Sequence, residues 1–330
     1  MNPDSKIFVA GHRGLAGSAI TRYLKANGYR NLVLRTRQEL DLSDARATAA
    51  FFQSERPDYV FMAAARVGGI LANRDLPAEF IQENLLIQTH VIHEAWRSGV
   101  RRLLFLGSSC IYPRMAPQPL KESSLFGGPL ESTNRAYAMA KIAGIEMCWS
   151  YNRQHGARFL AAMPTNLYGP GDNYDLLSSH VIPALLRKFW EARRDGQPHV
   201  TVWGSGTPRR EFMYSDDMAA ACVFLMNLPD PEFDRLLGSD SEEDSPLNPP
   251  VVNLGVGHDI TIRELAQTIS RVVDYPGTIV FDRSKPDGTP RKLMDVSRLT
   301  GLGFKANTPL EDGLRLALDR SGLVTSATLA

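Results

Sequence analysis

Short apolar runs alternate with amphipathic stretches along the first half of the chain. Five runs have the length and composition of buried strands, namely KIFVAG, NLVLRT, YVFMAAA, RLLFLGSS and RFLAAMP. Between them, stretches such as AGSAITRYLKANG and EFIQENLLIQTHVIHEAWRSG repeat apolar residues at spacings of three and four, which predicts helices. Strands that are apolar throughout are typical of a parallel sheet whose two faces are both covered. The pattern therefore predicts an α/β fold built on a doubly wound parallel sheet.

The regular alternation of apolar runs and amphipathic stretches ends at about residue 168. A polar loop, YGPGDNYDLLSSH, precedes a helical stretch and a strand, and a late block contains TIRELAQTISRVV, TIVFD and LEDGLRLALD. The segments 211–228 and 251–257 again contain strand-like runs, so we expect them to return to the first sheet. We therefore predict a Rossmann-type nucleotide-binding domain over 1–170, to which the segments 211–228 and 251–257 also belong. A smaller C-terminal α/β domain over 171–330 would mainly bind the substrate.

Composition and charge exclude several classes of protein. The 330 residues carry a formal net charge of +1, so there is no electrostatic case for a nucleic-acid partner or an anionic membrane surface. No apolar run approaches the roughly 20 residues of a membrane span, and the first residues, MNPDSKIFVAG, have the pattern of neither a signal nor a transit peptide. We therefore expect a cytoplasmic protein. The acidic segment 230–250, rich in Ser and Pro, is predicted to be a solvated, mobile surface insertion.

The three cysteines complete no metal-ligand spacing, and their odd number in a reducing compartment argues against a disulfide framework. Cys148 and Cys222 stand in apolar, helix-like stretches and are predicted to be core residues. Cys110 differs, because it follows a strand and stands among hydroxyl side chains in LLFLGSSCIYP. From the residues alone this thiol is a small packing residue, a nucleophile or a proton carrier.

The first candidate motif is VAGHRGLAG, directly after the first predicted strand. Gly11, Gly14 and Gly17 are three apart and open a helix, which is typical of a turn that binds a dinucleotide. Glycine permits a positive φ and lets the backbone approach a phosphate, and the helix N-terminus presents amide groups to the pyrophosphate. The turn supplies the first candidate cofactor-binding residues: Gly11, His12, Arg13, Gly14, Leu15, Ala16 and Gly17.

The end of the second predicted strand, VLRTRQELD, indicates which dinucleotide binds. An NAD site usually has an acidic residue here, which holds the ribose 2′-hydroxyl. In this sequence Arg35 and Arg37 occupy that position, and Arg13 stands in the glycine turn. Guanidinium groups suit a 2′-phosphate, because they bind it through paired hydrogen bonds. We therefore predict NADP(H) as the cofactor, with Arg37, Asp41 and Leu42 at its adenosine end.

A second motif, NRAYAMAKIAG, places Tyr137 and Lys141 four residues apart on one face of a predicted helix. A free phenol has a pKa of about 10, and we expect the adjacent ammonium to lower it. The lysine can also hold the nicotinamide ribose, and Ser108, at a strand end, can hydrogen-bond a carbonyl that is being reduced. Behind a glycine-rich nucleotide turn, this serine, tyrosine and lysine predict an oxidoreductase.

Together these motifs resemble the extended short-chain dehydrogenase/reductases, which act largely on nucleotide sugars. The glycine turn and the tyrosine–lysine pair are general to that superfamily. More narrowly, the chain is similar over nearly its whole length to the 3,5-epimerase/4-reductases of GDP-4-keto-6-deoxy-D-mannose. This similarity rests on GHRGLAGSAI, LRTR, AAARVGGI, LFLGSSCIYP, YAMAKIAG, MPTNLYGPGDN, SHVIPALLRKF, VWGSGTPRREF and SKPDGTPRK. The chain departs from the family at Met213 and Tyr214, where relatives usually have Leu and His.

The resemblance implies a two-stage reaction on a GDP-sugar with a C4 ketone. Cys110 matches the family's base and His180 its partner acid in the inversion of C3 and C5. NADPH then delivers hydride to C4 while Tyr137 protonates the alkoxide. The matched GDP-sugar contacts are Lys188, Trp203, Arg210 and Asp287. The matched cofactor contacts at the strand ends and beyond are Leu106, Gly107, Ser108, Ser109, Lys141, Pro164, Thr165, Asn166, Leu167 and His180.

Other functions stay open at this point. One is another nucleotide-sugar 4-epimerase, reductase or dehydratase of the same superfamily. A dehydratase needs an acid–base pair beside the serine, where this chain has Ser109 and Cys110. Another is a non-catalytic, NADP-binding regulatory protein, which has no need of the tyrosine–lysine pair. The amphipathic helices over about 74–98 and 135–156 suit a homodimer, as in relatives, although helices covered within one chain have the same pattern. We expect no nucleic-acid, membrane or metal partner.

Overall fold

The computed structural model describes residues 1–176, 178–238, 248–285 and 287–323. The strands are β1 (Ile7–Ala10), β2 (Leu32–Val33), β3 (Tyr59–Met62), β4 (Arg102–Leu106), β5 (Phe159–Pro164), β6 (Asn166–Tyr168), β7 (His199–Trp203), β8 (Arg209–Arg210), β9 (Phe212–Tyr214), β10 (Val251–Leu254), β11 (Ile260–Thr261), β12 (Thr278–Asp282) and β13 (Arg291–Lys292). The helices are α1 (Leu15–Ala26), α2 (Ala45–Glu55), α3 (Ile70–Asp75), α4 (Pro77–Arg97), α5 (Arg135–His155), α6 (Val181–Arg194), α7 (Ser215–Asn227), α8 (Asp230–Asp234), α9 (Ile262–Val272), α10 (Ser297–Gly301) and α11 (Leu310–Asp319).

A six-stranded parallel sheet organises the first half of the chain, in the order β10-β5-β4-β3-β1-β2. β1 pairs with β2 on one side and with β3 on the other, so the chain builds the sheet outwards from β1 in both directions. Such a switch point opens a crevice at the carboxyl ends of the strands, where open α/β sheets bind ligands. The predicted doubly wound parallel sheet is confirmed.

Both faces of this sheet are covered, which explains why its strands are apolar throughout. Phe105 points into the layer formed with α2, α4 and α5, and its neighbour Leu104 points into the layer formed with α1 and α7. Cys148 is buried in the first layer and Cys222 in the second. The prediction that both thiols are core residues is therefore confirmed.

The second strand is shorter than the sequence predicts. NLVLRT contributes only Leu32–Val33, which form the edge of the sheet. The chain then turns away, because the amide of Thr36 donates a hydrogen bond to the carboxylate of Glu39 at 2.7 Å. This turn places Arg35 and Arg37 in the lining of a cleft that also contains the glycine turn.

The C-terminal half builds small sheets around a separate core. β7 pairs with β12, β8 pairs with both β11 and β13, and β6 pairs with β9. The helices α6, α9 and α11 pack around Phe189, Leu265 and Leu314. Two elements of this half join the large sheet: β10 pairs with β5, and α7 packs with α1 on one face. Among the residues that the structure describes, no helix is both long and apolar enough to cross a membrane.

The acidic segment 230–250 begins as a packed element and not as a solvated loop. Its first residues form α8, where Phe233 is fully buried and Asp234 pairs with Arg158 at 2.8 Å. The guanidinium of Arg102 lies 4.1 Å from the centre of the Phe233 ring. The prediction of a solvated, mobile insertion is therefore wrong for 230–238. The rest of that prediction falls mostly on 239–247, which lie outside the described residues.

Candidate active site

The glycine turn between β1 and α1 has the geometry of a backbone cradle. Gly11 has a φ of +79°, and a Cβ at this position would lie 2.7 Å from the backbone of Ala64, so a side chain is excluded twice. A Cβ on Gly17 would lie 2.2 Å from the carbonyl oxygen of Gly11, which shows how closely α1 packs on the turn. The nearest atom to a Cβ on Gly14 would be 3.6 Å away. The space beside Gly14 is open, as close approach of a phosphate to the backbone requires.

Helix α1 begins here without a capping side chain. Gly14 is its N-cap residue, no side chain caps the helix, and the first turn, with Leu15 and Ala16, contains no acidic residue. The amide groups of a helix N-terminus favour an anion. Nearby, the buried Nδ1 atom of His12 has no hydrogen-bond partner among the described residues. Burial and the charge of Arg13 lower the pKa of His12, so the turn offers neutral and positive groups to the pyrophosphate of a dinucleotide.

A cleft of about 570 Å³ joins the glycine turn to the loop after β2. Arg35 donates a hydrogen bond to Glu55 and Arg37 donates one to Glu83, each at 2.6 Å. Arg13 makes no ion pair in the part of the chain that the structure describes, and the Arg37 side chain is 69% exposed. The structure therefore brings the three predicted arginines to one accessible cleft. Its lining includes Gly11, His12, Arg13, Gly14, Arg35, Arg37 and Asp41.

Asp41 and Leu42 differ in what they can offer a ligand. The carboxylate of Asp41 accepts hydrogen bonds from the hydroxyl and the amide of Ser43 at 2.6 and 2.9 Å, and these bonds lower its pKa. Asp41 therefore provides an ionised acceptor at the cleft. Leu42 is 8% exposed, and its carbonyl oxygen lies 3.1 Å from Nδ1 of His90. Leu42 thus supports the cleft from the core side.

A tight turn after β4 carries the predicted serine and cysteine. A Cβ on Gly107 would lie 2.0 Å from the side chain of Met163, so this position has no room for a larger residue. Ser108 is the N-cap of the 3₁₀ turn Ser109–Ile111, and its hydroxyl accepts the amide of Cys110 at 3.4 Å. The turn therefore folds Cys110 back towards Ser108 at the carboxyl edge of the sheet.

Helix α5 brings Tyr137 and Lys141 to the same place. The Lys141 ammonium donates to the carbonyl oxygen of Leu106 at 2.8 Å and lies 5.8 Å from the centre of the Tyr137 ring. Burial lowers the pKa of Lys141 to about 8. Burial and the neighbouring Cys110 raise the pKa of Tyr137, although its hydrogen bond with Ser108 acts in the opposite direction. The prediction that the adjacent ammonium lowers the pKa of this phenol is therefore wrong: desolvation raises the pKa, and the group that acts to lower it is Ser108 and not Lys141.

Cys110 is buried beside these groups, with 7% of its surface exposed. Burial raises the pKa of its thiol, whereas Lys292, Ser108 and Lys141 act to lower it. Burial outweighs these neighbouring groups, so the net pKa of the thiol is raised. The cations are present, but the thiol is too deeply buried for them to dominate before a ligand binds.

His180 lies at the start of α6, where it is the N-cap residue. Its side chain is exposed to solvent, yet the surrounding protein lowers its pKa through desolvation. A group that is accessible and still surrounded by protein lies in a concave surface. Ser178, two residues before His180, passes close to the loop after β3, because a Cβ on Gly69 would lie 3.2 Å from its carbonyl oxygen. No hydrogen bond between His180 and Cys110 is present among the described residues.

The segment matched to the nicotinamide end connects β5 with β6. Pro164 is the last residue of β5, and Leu167 lies within β6. The hydroxyl of Thr165 and the side-chain amide of Asn166 both donate to the carbonyl oxygen of Glu211, at 3.3 and 2.8 Å. These polar side chains are therefore engaged with the protein and fix the connection rigidly at the carboxyl end of the sheet.

The four residues matched to GDP-sugar contacts lie on different elements of the C-terminal half. The Lys188 ammonium, on α6, lies 5.4 Å from the centre of the Trp203 ring, and Trp203 is 59% exposed at the end of β7. Among the described residues, the Arg210 side chain, on β8, donates a hydrogen bond to the carbonyl of the preceding residue alone, and burial lowers its pKa. The carboxylate of Asp287 accepts the amide and the hydroxyl of Ser205 at 2.8 and 2.7 Å. Each oxygen of this carboxylate therefore keeps a further acceptor position that a ligand could use.

Comparison with known proteins identifies the family. Residues 7–235 match the model of the NAD dependent epimerase/dehydratase family. The chain belongs to this family. It is 56% identical to "GDP-L-fucose synthase" of Escherichia coli (strain K12), over 94% of each chain. The predicted superfamily is thereby confirmed, and the chain falls among the GDP-L-fucose synthases within it.

Solved structures of this family have the same fold. A GDP-6-OMe-4-keto-L-xylo-heptose reductase from C. jejuni is 39% identical with a TM-score of 0.89, covering 98% of this chain and 99% of that one. A GDP-L-fucose synthetase from Naegleria fowleri, bound to NADP, is 28% identical with a TM-score of 0.83, covering 97% and 94%. These neighbours confirm the Rossmann-type architecture.

The structure adds two residues to the site that sequence analysis did not single out, Lys292 and Glu211. Lys292 faces Cys110 from β13. Glu211 is fully buried, and its carboxylate accepts three backbone amide hydrogen bonds at 2.7–2.9 Å from the loops beside the site. Both stand in blocks that carry the family resemblance, GTPRK and GTPRREF. Strands of two or three residues are too short for periodicity to show where a side chain points.

Proposed function

We propose that this chain converts GDP-4-keto-6-deoxy-D-mannose into GDP-L-fucose by inverting C3 and C5 and then reducing C4 with NADPH. The observation that carries the proposal is the cluster of Ser108, Cys110, Tyr137 and Lys141 at the carboxyl end of β4. A reductase needs the serine, the tyrosine and the lysine. The thiol in the same cluster is the additional group that inversion at carbon requires. The name of the 56% identical relative supports the same reaction.

The epimerisation needs a base and an acid on opposite faces of the sugar ring. The C4 ketone makes the hydrogens on C3 and C5 acidic, because loss of either proton leaves an enolate. The Cys110 thiolate takes the proton from carbon and becomes a thiol. The imidazolium of His180 then protonates the same carbon from the other face and becomes neutral imidazole. Proton exchange with solvent restores both groups before the second centre is inverted.

The reduction needs a hydride and a proton at C4. When bound, NADPH supplies the hydride. The hydroxyl of Ser108 hydrogen-bonds the ketone oxygen, and the hydroxyl of Tyr137 gives its proton to that oxygen as negative charge develops. The raised pKa of Tyr137 keeps the phenol protonated until this step. The Lys141 ammonium is close enough to stabilise the phenolate that remains.

The residues present fit an NADP cofactor and a GDP group. The open space beside Gly14 and the uncapped start of α1 suit a pyrophosphate. Arg37 in the adjoining cleft suits a 2′-phosphate. At the other end, Arg210 and Lys188 carry positive charge for the sugar diphosphate. The exposed ring of Trp203 and the Asp287 carboxylate suit the face and the edge of guanine.

Two alternatives have less support. A dehydratase of the same family requires carboxyl groups beside the serine, whereas Ser109 and Cys110 occupy those positions and both are buried. A regulatory protein that only binds NADP gains nothing from Tyr137 and Lys141, which are enclosed side by side at a cost in desolvation. A reductase without epimerase activity would not need the thiol at position 110.

We also propose that the protein works as a homodimer in the cytoplasm, where NADPH is regenerated. The long helices α4 and α5 pack against each other, and each leaves a large apolar side chain exposed. Leu86 on α4 is 38% exposed and Met139 on α5 is 47% exposed. A second copy that packs on these helices would cover both side chains.

The test is a product assay in ²H₂O with GDP-4-keto-6-deoxy-D-mannose and either NADPH or NADH. We expect one NADPH consumed for each GDP-L-fucose formed, deuterium at C3 and C5, and a higher kcat/KM with NADPH than with NADH. A reduced product without deuterium would mean a reductase alone. Inversion at C4 without net NADPH consumption would mean a 4-epimerase, and cofactor binding without turnover would favour the regulatory protein. An equal or better kcat/KM with NADH would overturn the cofactor assignment.

A further inference from the structure

Lys292 is a cation at the active site that the mechanism above leaves unused. It is the second residue of β13, which runs parallel to β8, and it stands opposite Arg210 in that pairing. Its ammonium makes no hydrogen bond or ion pair with the residues described. Lys292 is only partly exposed to solvent, and the surrounding protein lowers its pKa through desolvation.

The position of Lys292 is fixed by its strand. The amide of Glu211 donates to the carbonyl oxygen of Lys292 at 3.3 Å. The next residue, Leu293, donates its amide to the side chain of Gln118 and accepts the amide of Leu120, both at 2.8 Å. Gln118 and Leu120 belong to the segment that follows Cys110 in the chain. β13 is therefore held between β8 and the segment 118–120 that follows Cys110 in the chain.

The groups around the thiol come from three elements. Cys110 is faced by Lys292 from β13, by Lys141 and Tyr137 from α5, and by Ser108 from its own turn. Lys292 has the largest favourable effect on the thiolate. Lys141 is already engaged with the carbonyl of Leu106, at 2.8 Å. The other charged groups near Lys292 are Arg210 on β8 and Glu131 in the loop before α5.

A buried ammonium without a partner destabilises a fold, because it loses its hydration and gains no opposite charge. The arrangement becomes favourable when an anion completes it. The Cys110 thiolate is the anion that the proposed reaction forms here, and it forms next to Lys292. The fold therefore supplies a positive charge where the reaction places a negative one.

We propose that Lys292 is the counter-ion of the Cys110 thiolate and is the residue that makes this cysteine a base. The inference rests on the proposed function, which gives Cys110 its role. In the step itself, the thiolate takes a proton from C3 or C5 and becomes a thiol, and the electron pair of the broken C–H bond moves into the enolate. Lys292 remains an ammonium throughout, so it acts through the cysteine and does not transfer the proton.

The competing role for Lys292 follows from its other neighbour. Arg210 stands beside it in the β8–β13 pairing and is matched to the substrate diphosphate. A lysine that only helped Arg210 to bind the diphosphate would affect substrate affinity and leave the reactivity of Cys110 unchanged. The two roles are therefore separated by measuring the thiol without substrate.

The test compares Lys292→Met and Lys292→Arg with Lys305→Met, in which an exposed lysine is replaced. The rate of Cys110 alkylation by iodoacetamide is followed by mass spectrometry from pH 6 to 10, with the core residues Cys148 and Cys222 as unreactive references. We expect Lys292→Met to move the midpoint to higher pH by about one unit, which slows alkylation at neutral pH by about tenfold. Lys292→Arg should retain most of the wild-type rate, and Lys305→Met should equal wild type.

A second measurement uses the GDP-4-keto sugar without NADPH and follows deuterium entry at C3 and C5. We expect Lys292→Met to slow exchange by a similar factor with little change in KM, and the thermal midpoint to stay level or rise. An unchanged alkylation profile with a raised KM would overturn the proposal in favour of diphosphate binding. If Lys292→Met lowers the thermal midpoint and Lys292→Arg does not restore the alkylation rate, Lys292 has a structural role and the proposal is wrong. Should Lys292→Met not fold, Lys292→Gln gives the same comparison.

Failure of the proposed function is distinguishable from failure of this inference. If wild-type protein exchanges no deuterium while alkylation of Cys110 still depends on Lys292, the epimerase activity is wrong and the ion pair stands. If wild-type protein exchanges deuterium and alkylation ignores Lys292, the activity stands and the counter-ion proposal is wrong.

Discussion

Positive charge at the amino ends of β4 and β5 differs in its pairing from positive charge around the thiol at their carboxyl ends. At the amino ends of β4 and β5, Arg102 and Arg158 both pair with Asp230, and Arg158 also pairs with Asp234 at 2.8 Å. At the carboxyl ends, the cations near the thiol form no ion pair among the described residues. These cations are Lys141 and Lys292, which lie beside the thiol, and Arg210, which stands opposite Lys292.

The comparison shows that the pairing of the cations around the thiol, and not the size of a cavity, distinguishes the catalytic cluster, since Arg35 and Arg37 in the cofactor cleft are paired as well. A cavity of about 450 Å³ is present at the amino end, lined in part by Arg101, Arg102, Arg158 and Asp230. Its volume is similar to the 570 Å³ of the cleft at the glycine turn. Each arginine around the first cavity pairs with an aspartate, and the pairs of Arg102 and Arg158 hold α8 in place. Desolvated cations without a carboxylate partner destabilise the fold, so their presence around the thiol favours an anionic ligand or intermediate there.

The largest expected effect comes from separating the two reactions at the carboxyl end. Tyr137→Phe should abolish C4 reduction, lowering kcat by about 10²–10⁴-fold, because the alkoxide loses its proton donor. The same variant should still exchange deuterium at C3 and C5. Cys110→Ala should do the reverse, because the base is lost while the hydride acceptor and Tyr137 remain. Deuterium exchange and NADPH oxidation, measured on both variants, check this prediction.

Neither substitution should lower the free energy of unfolding by much, because both remove a polar group from an enclosed site without removing a structural contact. Cys148→Ala is the matched control for the thiol, since it removes a buried sulfur from the helix layer and should affect stability alone. Exchange at the wild-type rate in Cys110→Ala would contradict the role assigned to the cysteine.

Local patterns predicted the parts of the site that depend on local structure. The glycine turn and the Tyr137–Lys141 pair follow from short-range rules. A tight turn between a strand and a helix needs glycine at position 11, and residues four apart lie on one face of a helix. Cys110 was noticed because a thiol among hydroxyls at a strand end is unusual.

Long-range packing decided what the sequence did not reveal. The short β2 depends on the Thr36–Glu39 turn at an edge strand, where no neighbour holds the pairing on the outer side. Lys292 reaches the thiol because β13 pairs with β8, and the periodicity of the sequence does not predict that pairing. The direction of the pKa of Tyr137 depends on how completely tertiary contacts exclude water.

At the amino end, the expected effect is on stability and not on activity. Arg102 is 5% exposed and donates to the carbonyl oxygens of Met226 and Leu228 at 2.9 and 2.8 Å. Arg102→Met leaves both buried acceptors without a donor, so we expect a loss of about 2–4 kcal/mol in the free energy of unfolding. Denaturant unfolding and steady-state kinetics on the same preparation measure the two quantities, and kcat should stay at the wild-type value.

The neighbouring residue provides the control for this prediction. Arg101 lies 3.5 Å from Asp58 with 68% of its side chain exposed, so Arg101→Met should change stability by less than about 1 kcal/mol. A large loss of activity in Arg102→Met, at temperatures where the variant is folded, would show that the paired end also serves the reaction.

The smallest expected effect is a pH dependence of the free energy of unfolding that arises from the desolvated Lys141 ammonium. The pKa of Lys141 is about 8 in the folded protein and about 10.4 in an unfolded chain. Below pH 8 both states carry the ammonium, and the folded state bears its full desolvation. Between about pH 8 and 10.4 the unfolded state binds more protons, so this group makes the folded state more stable as pH rises.

Lys141→Met removes this pH-dependent contribution to stability. The stability advantage of the variant over wild type should therefore be largest below pH 8 and shrink by at most about 1.4 kcal/mol per pH unit above it. Urea unfolding of both proteins from pH 7 to 10 measures this difference, with Lys305→Met expected to show a constant one. A pH-independent difference for Lys141→Met would mean that the enclosed lysine is already neutral or paired, and the contrast between the two ends of the sheet would then have to rest on Lys292 and Arg210.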